Sequence, residues 1–268
     1  IARRQRQMCI RDSSMKDPLF IIKGVSKKYS SQDSRFAVEN ISFSIFSGET
    51  LGIIGESGSG KTTLGKLLIR LYMPDSGSIV FKERDMALFS KKDLTQYRKA
   101  VQMVFQNPSL TCNPQKKIWQ IIQEPLDIHN LIPKEKRMDR VRELLELVQL
   151  DPDLTLQYPS ECSGGQLQRV SIARALSLSP EVIVFDEPVT ALDLPTALEI
   201  MELLQSFQKN LKLTYIFISH DLSMIQKISH RILVLKEGKM VEVGNAKDIV
   251  LSPSNAYTRD LVSAAFLL

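Results

Sequence analysis

Residues 55–63 read Gly-Glu-Ser-Gly-Ser-Gly-Lys-Thr-Thr, and no other segment narrows the possibilities as far. The apolar run Thr50–Ile54 before it reads as a buried strand, and Leu64–Leu71 after it reads as a helix. In that strand–loop–helix setting the glycine spacing describes a phosphate cradle. Gly55, Gly58 and Gly60 let the backbone curl so that successive N–H groups of the loop, with Glu56, Ser57 and Ser59 between them, turn inward toward anionic oxygens. The helix N-terminus adds partial positive charge. Lys61 is placed to reach β- and γ-phosphates and Thr62 to offer a hydroxyl to Mg²⁺, with Thr63 beside them a further nucleotide-binding candidate. A glycine-rich turn that binds nothing is the competing explanation. The flanking strand and helix weigh against it.

A chain of 268 residues with 43% hydrophobic content has core enough for one large domain, or a domain carrying a subdomain. No stretch approaches the ~18–20 continuous apolar residues of a membrane span. Cys9, Cys112 and Cys162 have no metal-type spacing, so a reducing compartment is expected. The net charge of +5 overstates the basic character. Residues 1–14 hold Arg3, Arg4, Arg6 and Arg11 against Asp12. They are read as a non-native leader, the in-frame translation of a sequencing adapter, with the natural chain expected to start at Met15.

Alternating apolar and polar residues predict strands at Leu19–Tyr29 and Phe36–Phe46, joined by a Ser/Asp loop at Ser30–Ser34. Further strands are predicted at Gly77–Lys82 and Val101–Phe105. The character then changes. Lys117–Leu126 and Lys134–Gln149 read as helices, the second with Met138, Val141, Leu144, Leu145 and Val148 on one face. No strand pattern interrupts residues 115–160, which predicts a helical subdomain at about 107–178, inserted in an α/β core. Strands at Glu181–Phe185 and Thr214–Ile218 flank a helix at Thr196–Asn210. A short helix, strands near 231–235 and 239–243, and two helical stretches follow. Such alternation implies a largely parallel sheet with helices on its faces.

Five segments accompany the phosphate loop. Val182–Phe185 is an apolar run ending in Asp186 and Glu187, so both carboxylates belong at the C-terminal edge of a strand, where ligands of parallel sheets bind. Asp186 is a candidate Mg²⁺ ligand, directly or through water. Glu187 is a candidate general base toward an attacking water. The alternative is an acidic pair capping the next helix. Ser163, Gly164, Gly165 and Gln166 open a helix whose free N–H groups could face an anion. Ser163 with Gln166 three residues on also reads as a capping box, and the two explanations are compatible. Gln106, at a strand end, could accept from water or ligate Mg²⁺; an ordinary loop glutamine is the simpler account. His220, at the tip of an apolar strand, could hydrogen-bond a γ-phosphate. The Tyr29 ring could stack on adenine.

In this order the segments resemble the nucleotide-binding subunit of ATP-binding-cassette (ABC) transporters. The resemblance spans residues 19–262. It assigns Tyr29 to the base, 55–62 to the Walker A loop, Gln106 to the Q-loop, 163–166 to the signature, 186–187 to Walker B, Asp193 to the D-loop and His220 to the switch. A signature segment between a Walker A loop and an acidic strand end is specific; a kinase or GTPase does not carry it. Phe105–Pro114, Glu124–Leu126, Tyr158–Gln166 and Ala256–Leu261 are similar to the dipeptide, oligopeptide and nickel importer ATPases. Cys162, Val189 and Thr190 depart mildly from that pattern, and the chain stops without the cysteine-containing extension many such ATPases carry.

The resemblance implies a RecA-like P-loop core with an antiparallel β subdomain and an inserted helical subdomain. It implies ATP hydrolysis with Mg²⁺, coupled to solute import, with peptides as the expected solute. Nickel or antimicrobial-peptide import, and a non-transport ABC ATPase, are the alternatives. The stretch from Lys61 to Ser163 carries neither the heptads nor the zinc modules of chromosome and repair members. The implied partners are separate transmembrane permeases, a second ATPase subunit (a homodimer or a heterodimer) and, indirectly, an extracytoplasmic solute-binding protein, with no nucleic acid. The implied location is peripheral, on the cytoplasmic face of the inner membrane.

Overall fold

A computed structural model describes residues 17–30 and 35–266. The predicted leader at 1–14 and most of the predicted Ser/Asp loop lie outside the described residues.

The centre of the molecule is a six-stranded sheet. Its order is β10 (Lys239–Asn245), β9 (Arg231–Lys236), β3 (Thr50–Ile54), β8 (Thr214–Ile218), β7 (Val182–Asp186) and β6 (Val101–Val104). β9, β3, β8, β7 and β6 are parallel neighbours, and only β10 runs antiparallel. Every residue of β3, β7 and β8 is buried, as expected for strands covered on both faces. Alternate residues feed two separate cores. Ile183, Phe185, Tyr215 and Phe217 pack on one side, and Val182, Val184, Ile216 and Ile218 on the other. Each fully buried large apolar side chain contributes about 1.5–3 kcal/mol, so both faces must be covered.

One face is covered by α1 (Lys61–Leu68), α2 (Lys91–Ala100) and a four-stranded antiparallel sheet. That sheet has the order β2 (Val38–Phe46), β1 (Pro18–Lys27), β4 (Ser76–Phe81), β5 (Arg84–Asp85). The other face is covered by helices from later in the chain, including α7 (Leu194–Leu211) and α8 (Leu222–Ile228). Between β6 and β7 the regular elements are all helical: α3 (Pro108–Thr111), α4 (Ile118–His129), α5 (Arg137–Leu147) and α6 (Gly164–Leu176), with short 3-10 turns. α9 (Ala246–Leu251) and α10 (Ala256–Phe266) finish the described chain.

Several elements differ from the sequence expectation. α2 was not foreseen, because only Tyr97 of its ten residues is buried. Its one legible signal is the Ser90/Asp93 capping box. α4 runs on through Pro125 to His129. Lys134–Gln149 is not one helix: a 3-10 turn at Lys134–Lys136 precedes α5, and the chain leaves the helix at Gln149, whose φ is +60°.

Candidate functional site

Four loops leave the same edge of the sheet because four adjacent strands are parallel. β3 delivers the 55–60 loop, β8 delivers Ser219 and His220, β7 delivers Asp186 and Glu187, and β6 delivers Gln106. Register sets their depth: Ile53 and Asp186 are both opposite Ile218, and Val104 is opposite Phe185.

The 55–60 loop is a tight turn with glycine at each left-handed position. Gly55, Gly58 and Gly60 have φ of +156°, +78° and +100°. A Cβ at Gly55 would stand 2.1 Å from the Leu235 carbonyl oxygen, and one at Gly60 2.2 Å from that of Ala37. Only glycine fits those two positions. The turn is closed by Ser59 N–H donating to the Glu56 carbonyl (3.1 Å) and fastened to the β9–β10 turn by Gly238 N–H donating to the Ser59 carbonyl (3.0 Å). The α1 helix starts at Lys61 itself, earlier than the predicted Leu64, so its N-terminal N–H groups belong to the loop.

Lys61 is buried and donates to the carbonyls of Gly55 (2.7 Å) and Glu56 (2.9 Å). Burial lowers its pKa, and the neighbouring Glu187 and Asp186 charges oppose that shift. Thr62 Oγ1 donates to Asp186 Oδ1 at 3.0 Å. Asp186 is buried too, and burial raises its pKa; the Thr62 hydrogen bond lowers it and the Glu187 charge raises it further. Two oxygens 3.0 Å apart match adjacent corners of an octahedron with bonds of 2.0–2.1 Å, the geometry Mg²⁺ demands. Among the described residues no cluster of three or more His, Cys, Asp or Glu could hold a metal by itself.

Glu187 sits just past the strand end at φ +49°, a left-handed conformation that costs a non-glycine residue about 1–3 kcal/mol. Its N–H is held by the Ile218 carbonyl at 2.9 Å. Its Oε2 accepts from Gln106 Nε2 at 3.0 Å and lies 3.3 Å from His220 Nδ1. Gln106 is thus joined to Glu187 through its amide nitrogen.

Tyr29 is mostly exposed; its hydroxyl shares a 2.8 Å hydrogen bond with Thr63, and its ring meets Tyr72 edge-on. Tyr29, Ser57, Gly58, Gly60, Lys61, Thr62, Thr63, Gln106, Glu187 and His220 line one cleft of about 620 Å³. Ala37 and Thr190 line it as well; Ala37 was not singled out, and Thr190 was noted only as a departure from the family pattern. Thr190 had a local signal, lying three residues past Glu187; Ala37 had none.

Ser163, Gly164, Gly165 and Gln166 do not line this cleft. They form the N-terminus of α6, where the predicted capping box is present. Gln166 N–H donates to Ser163 Oγ (3.2 Å) and Ser163 N–H to Gln166 Oε1 (2.8 Å). Ser163 and Gly164 face solvent. A Cβ on Gly165 would meet Thr196 Cγ2 at 2.6 Å, so α6 and α7 approach closely there.

The family model described as ABC transporter matches residues 38–190. An oligopeptide transport ATP-binding protein of Bacillus subtilis, AppF, is 46% identical over 229 residues, 85% of this chain and 70% of that protein. The OppF oligopeptide transport ATP-binding protein of Streptococcus mutans is 44% identical over 85% of this chain and 74% of its own length. Among solved structures, a subunit of the cbiONQ ABC transporter complex from Clostridium perfringens superimposes with a TM-score of 0.79 at 28% identity, covering 88% of this chain and 92% of its own. A dimeric ATP-binding cassette in a post-hydrolysis state, bound to ADP and Pi, gives 0.77 at 29% identity over 85% of this chain and 98% of its own. On these grounds, together with the loop, the acidic strand end and the capped signature helix, the chain belongs to the ABC transporter family, as an ATP-binding subunit.

Proposed function

We propose that this chain hydrolyses ATP to ADP and phosphate and thereby powers the import of peptides, of the dipeptide or oligopeptide type, through separate permeases. The observation that carries the chemistry is the convergence of Lys61, Thr62, Glu187, Gln106 and His220 on one cleft, with Asp186 buried behind Thr62 and hydrogen-bonded to it. The relatives' roles in oligopeptide transport support the solute class.

In this reading the N–H groups that the turn leaves free between 57 and 63, and the Lys61 ammonium, bind the β- and γ-phosphates, and Tyr29 offers its exposed ring to the adenine. Thr62 and Asp186 would hold Mg²⁺, with the Gln106 amide oxygen a further candidate donor. When bound, that ion neutralises charge on the phosphate oxygens. Glu187 accepts a proton from the water that attacks the γ-phosphorus, the bond to ADP breaks, and phosphate leaves. His220 orients Glu187 and the γ-phosphate.

Ser163, Gly164, Gly165 and Gln166 have no role in their own subunit's cleft. Their solvent-facing helix N-terminus suits the ATP of a second cassette, identical or related, in a head-to-tail pair. A groove of about 600 Å³ lies between the core and the helical segment, lined by Arg70, Arg98, Phe105, Glu124, Pro125 and Ile128 among others. Phe105 lines that groove and Gln106, the next residue, lines the cleft. A permease element seated in the groove would therefore act on Glu187 through a single peptide unit. Among the described residues no helix is long and apolar enough to cross a membrane, which fits a peripheral subunit on the cytoplasmic face of the inner membrane. An extracytoplasmic binding protein would deliver the solute.

Uptake of a labelled tripeptide by cells lacking this gene is the test. Uptake should fall, return with the wild-type gene and stay low with Glu187→Gln. Undiminished uptake in the deletion strain would overturn the peptide reading.

A further inference from the structure

The phosphate loop is held from outside its own strand and helix at a second point, remote in sequence. Glu56 N–H donates to Tyr257 Oη at 3.3 Å, across 201 positions. Tyr257 is half-buried on the first turn of α10. Three contacts deliver it there. Lys236 Nζ lies 4.5 Å from the centre of its ring. Its N–H donates to Asn255 Oδ1 at 2.9 Å. The Glu242 carboxylate on β10 accepts from the N–H groups of Ser254 (2.9 Å) and Asn255 (3.2 Å), fixing the turn that precedes α10. The tyrosine thus rests on two strands of the central sheet and presses on the loop.

We propose that Tyr257 is a positioning residue for nucleotide binding. It holds the Glu56 N–H and so keeps the start of the glycine-rich loop in the conformation that receives phosphate. The inference rests on reading residues 55–62 as the phosphate site. Its physical basis is preorganisation. A loop with three glycines has much freedom to lose when its N–H groups converge on an anion, and a contact that removes part of that freedom beforehand raises affinity. The Gly238–Ser59 hydrogen bond restrains the far side of the turn. Tyr257 restrains the near side, where among the described residues no other contact from outside the loop reaches the Glu56 N–H. Burial, the largest influence, and the nearby Glu56 and Glu237 charges keep the phenol above the ordinary tyrosine range, against the opposing Glu56 N–H bond, so it stays neutral at physiological pH.

Tyr257→Phe keeps the ring and its Lys236 contact and removes only the hydroxyl. Mg-ATP titration of the full chain should show affinity weakened about fivefold, the size of one ordinary net hydrogen bond. Hydrogen exchange at the Glu56 amide should quicken, and turnover at saturating ATP should change by less than about twofold, because the contact acts before chemistry. In a Glu56→Pro background, which has no N–H to hold, Tyr257→Phe should bring no further change. Unaltered affinity, an equal loss in both backgrounds, or a fall in turnover and melting temperature with affinity intact would overturn the proposal. Lys61→Ala is the control for the site itself. If it leaves Mg-ATP binding intact, the phosphate-site reading fails; if it abolishes binding while Tyr257→Phe binds as wild type does, only the Tyr257 proposal fails.

Discussion

Gln106 and Glu187, 81 positions apart, are joined by a hydrogen bond of 3.0 Å from Gln106 Nε2 to Glu187 Oε2. The same carboxylate oxygen lies 3.3 Å from His220 Nδ1. Three loops from three adjacent strands therefore meet on one atom. The Glu187 oxygen that would take a proton from water is shared with two neighbours, each carried by a different strand end.

Glu187→Gln should retain ATP binding and lose hydrolysis by about 100- to 10,000-fold, since it removes the base and leaves the phosphate loop in place. It should also trap an ATP-bound pair of subunits. Phosphate release and nucleotide titration on the same preparation check both halves. Wild-type turnover in the assembled complex would remove Glu187 from the role of base.

Lys61→Ala should weaken Mg-ATP binding by about 10- to 100-fold, the loss expected for a charged hydrogen-bonding group. The folded protein should tolerate the change, because the buried ammonium is held by carbonyls at some desolvation cost. Equilibrium titration and a melting curve separate the two effects.

Asp186→Asn should trade function for stability. Burial raises the Asp186 pKa above the ordinary carboxylate value, so between the unfolded and folded pKa the folded state binds more protons and stability falls as pH rises. Above the folded pKa the full cost of the buried charge is present. An amide lacks that cost and can still accept from the Thr62 hydroxyl. The variant should melt higher than wild type at pH 7, by about 2–4 °C per kcal/mol, and the difference should shrink as pH falls through the folded pKa. Mg²⁺-dependent ATP hydrolysis should be lost.

Gly165→Ala and Gly164→Ala should part company. A Cβ at 165 meets Thr196 Cγ2 at 2.6 Å, and Thr196 is pinned by its hydroxyl donating to Asp193 (2.8 Å). Overpacking there should cost about 1–3 kcal/mol. At 164 the nearest atom is Leu192 Cδ2 at 3.5 Å, an ordinary contact, so Gly164→Ala should fall within about 1 kcal/mol of wild type. Denaturant melts of both variants decide it.

Mixing Ser163→Arg with Lys61→Ala subunits should restore part of the ATP binding or hydrolysis that each lacks alone. One composite site, with Lys61 from one chain and the α6 N-terminus from the other, is then whole. No recovery, with both variants folded and associating, would argue against the trans arrangement.

The chemistry-bearing residues were legible because each is announced locally. Glycine spacing needs only the backbone conformations it permits, and an apolar run ending in Asp186 and Glu187 needs only the rule that parallel strands present ligands at their C-terminal edge. Ser163 and Gln166 form their capping box within four residues. α2 was illegible for the opposite reason: one buried residue in ten leaves no apolar period to read. The left-handed backbone at Glu187, the closeness of Gly165 to Thr196, and the Tyr257 contact with the loop were beyond local reading as well. Each depends on two segments far apart in sequence, and only the order β3-β8-β7-β6, with α10 folded back over β9 and β10, brings them within reach. The sequence by itself marked the groups proposed to bind phosphate and metal. The tertiary structure decided which of them share an atom, because register and strand order set distances that no local pattern encodes.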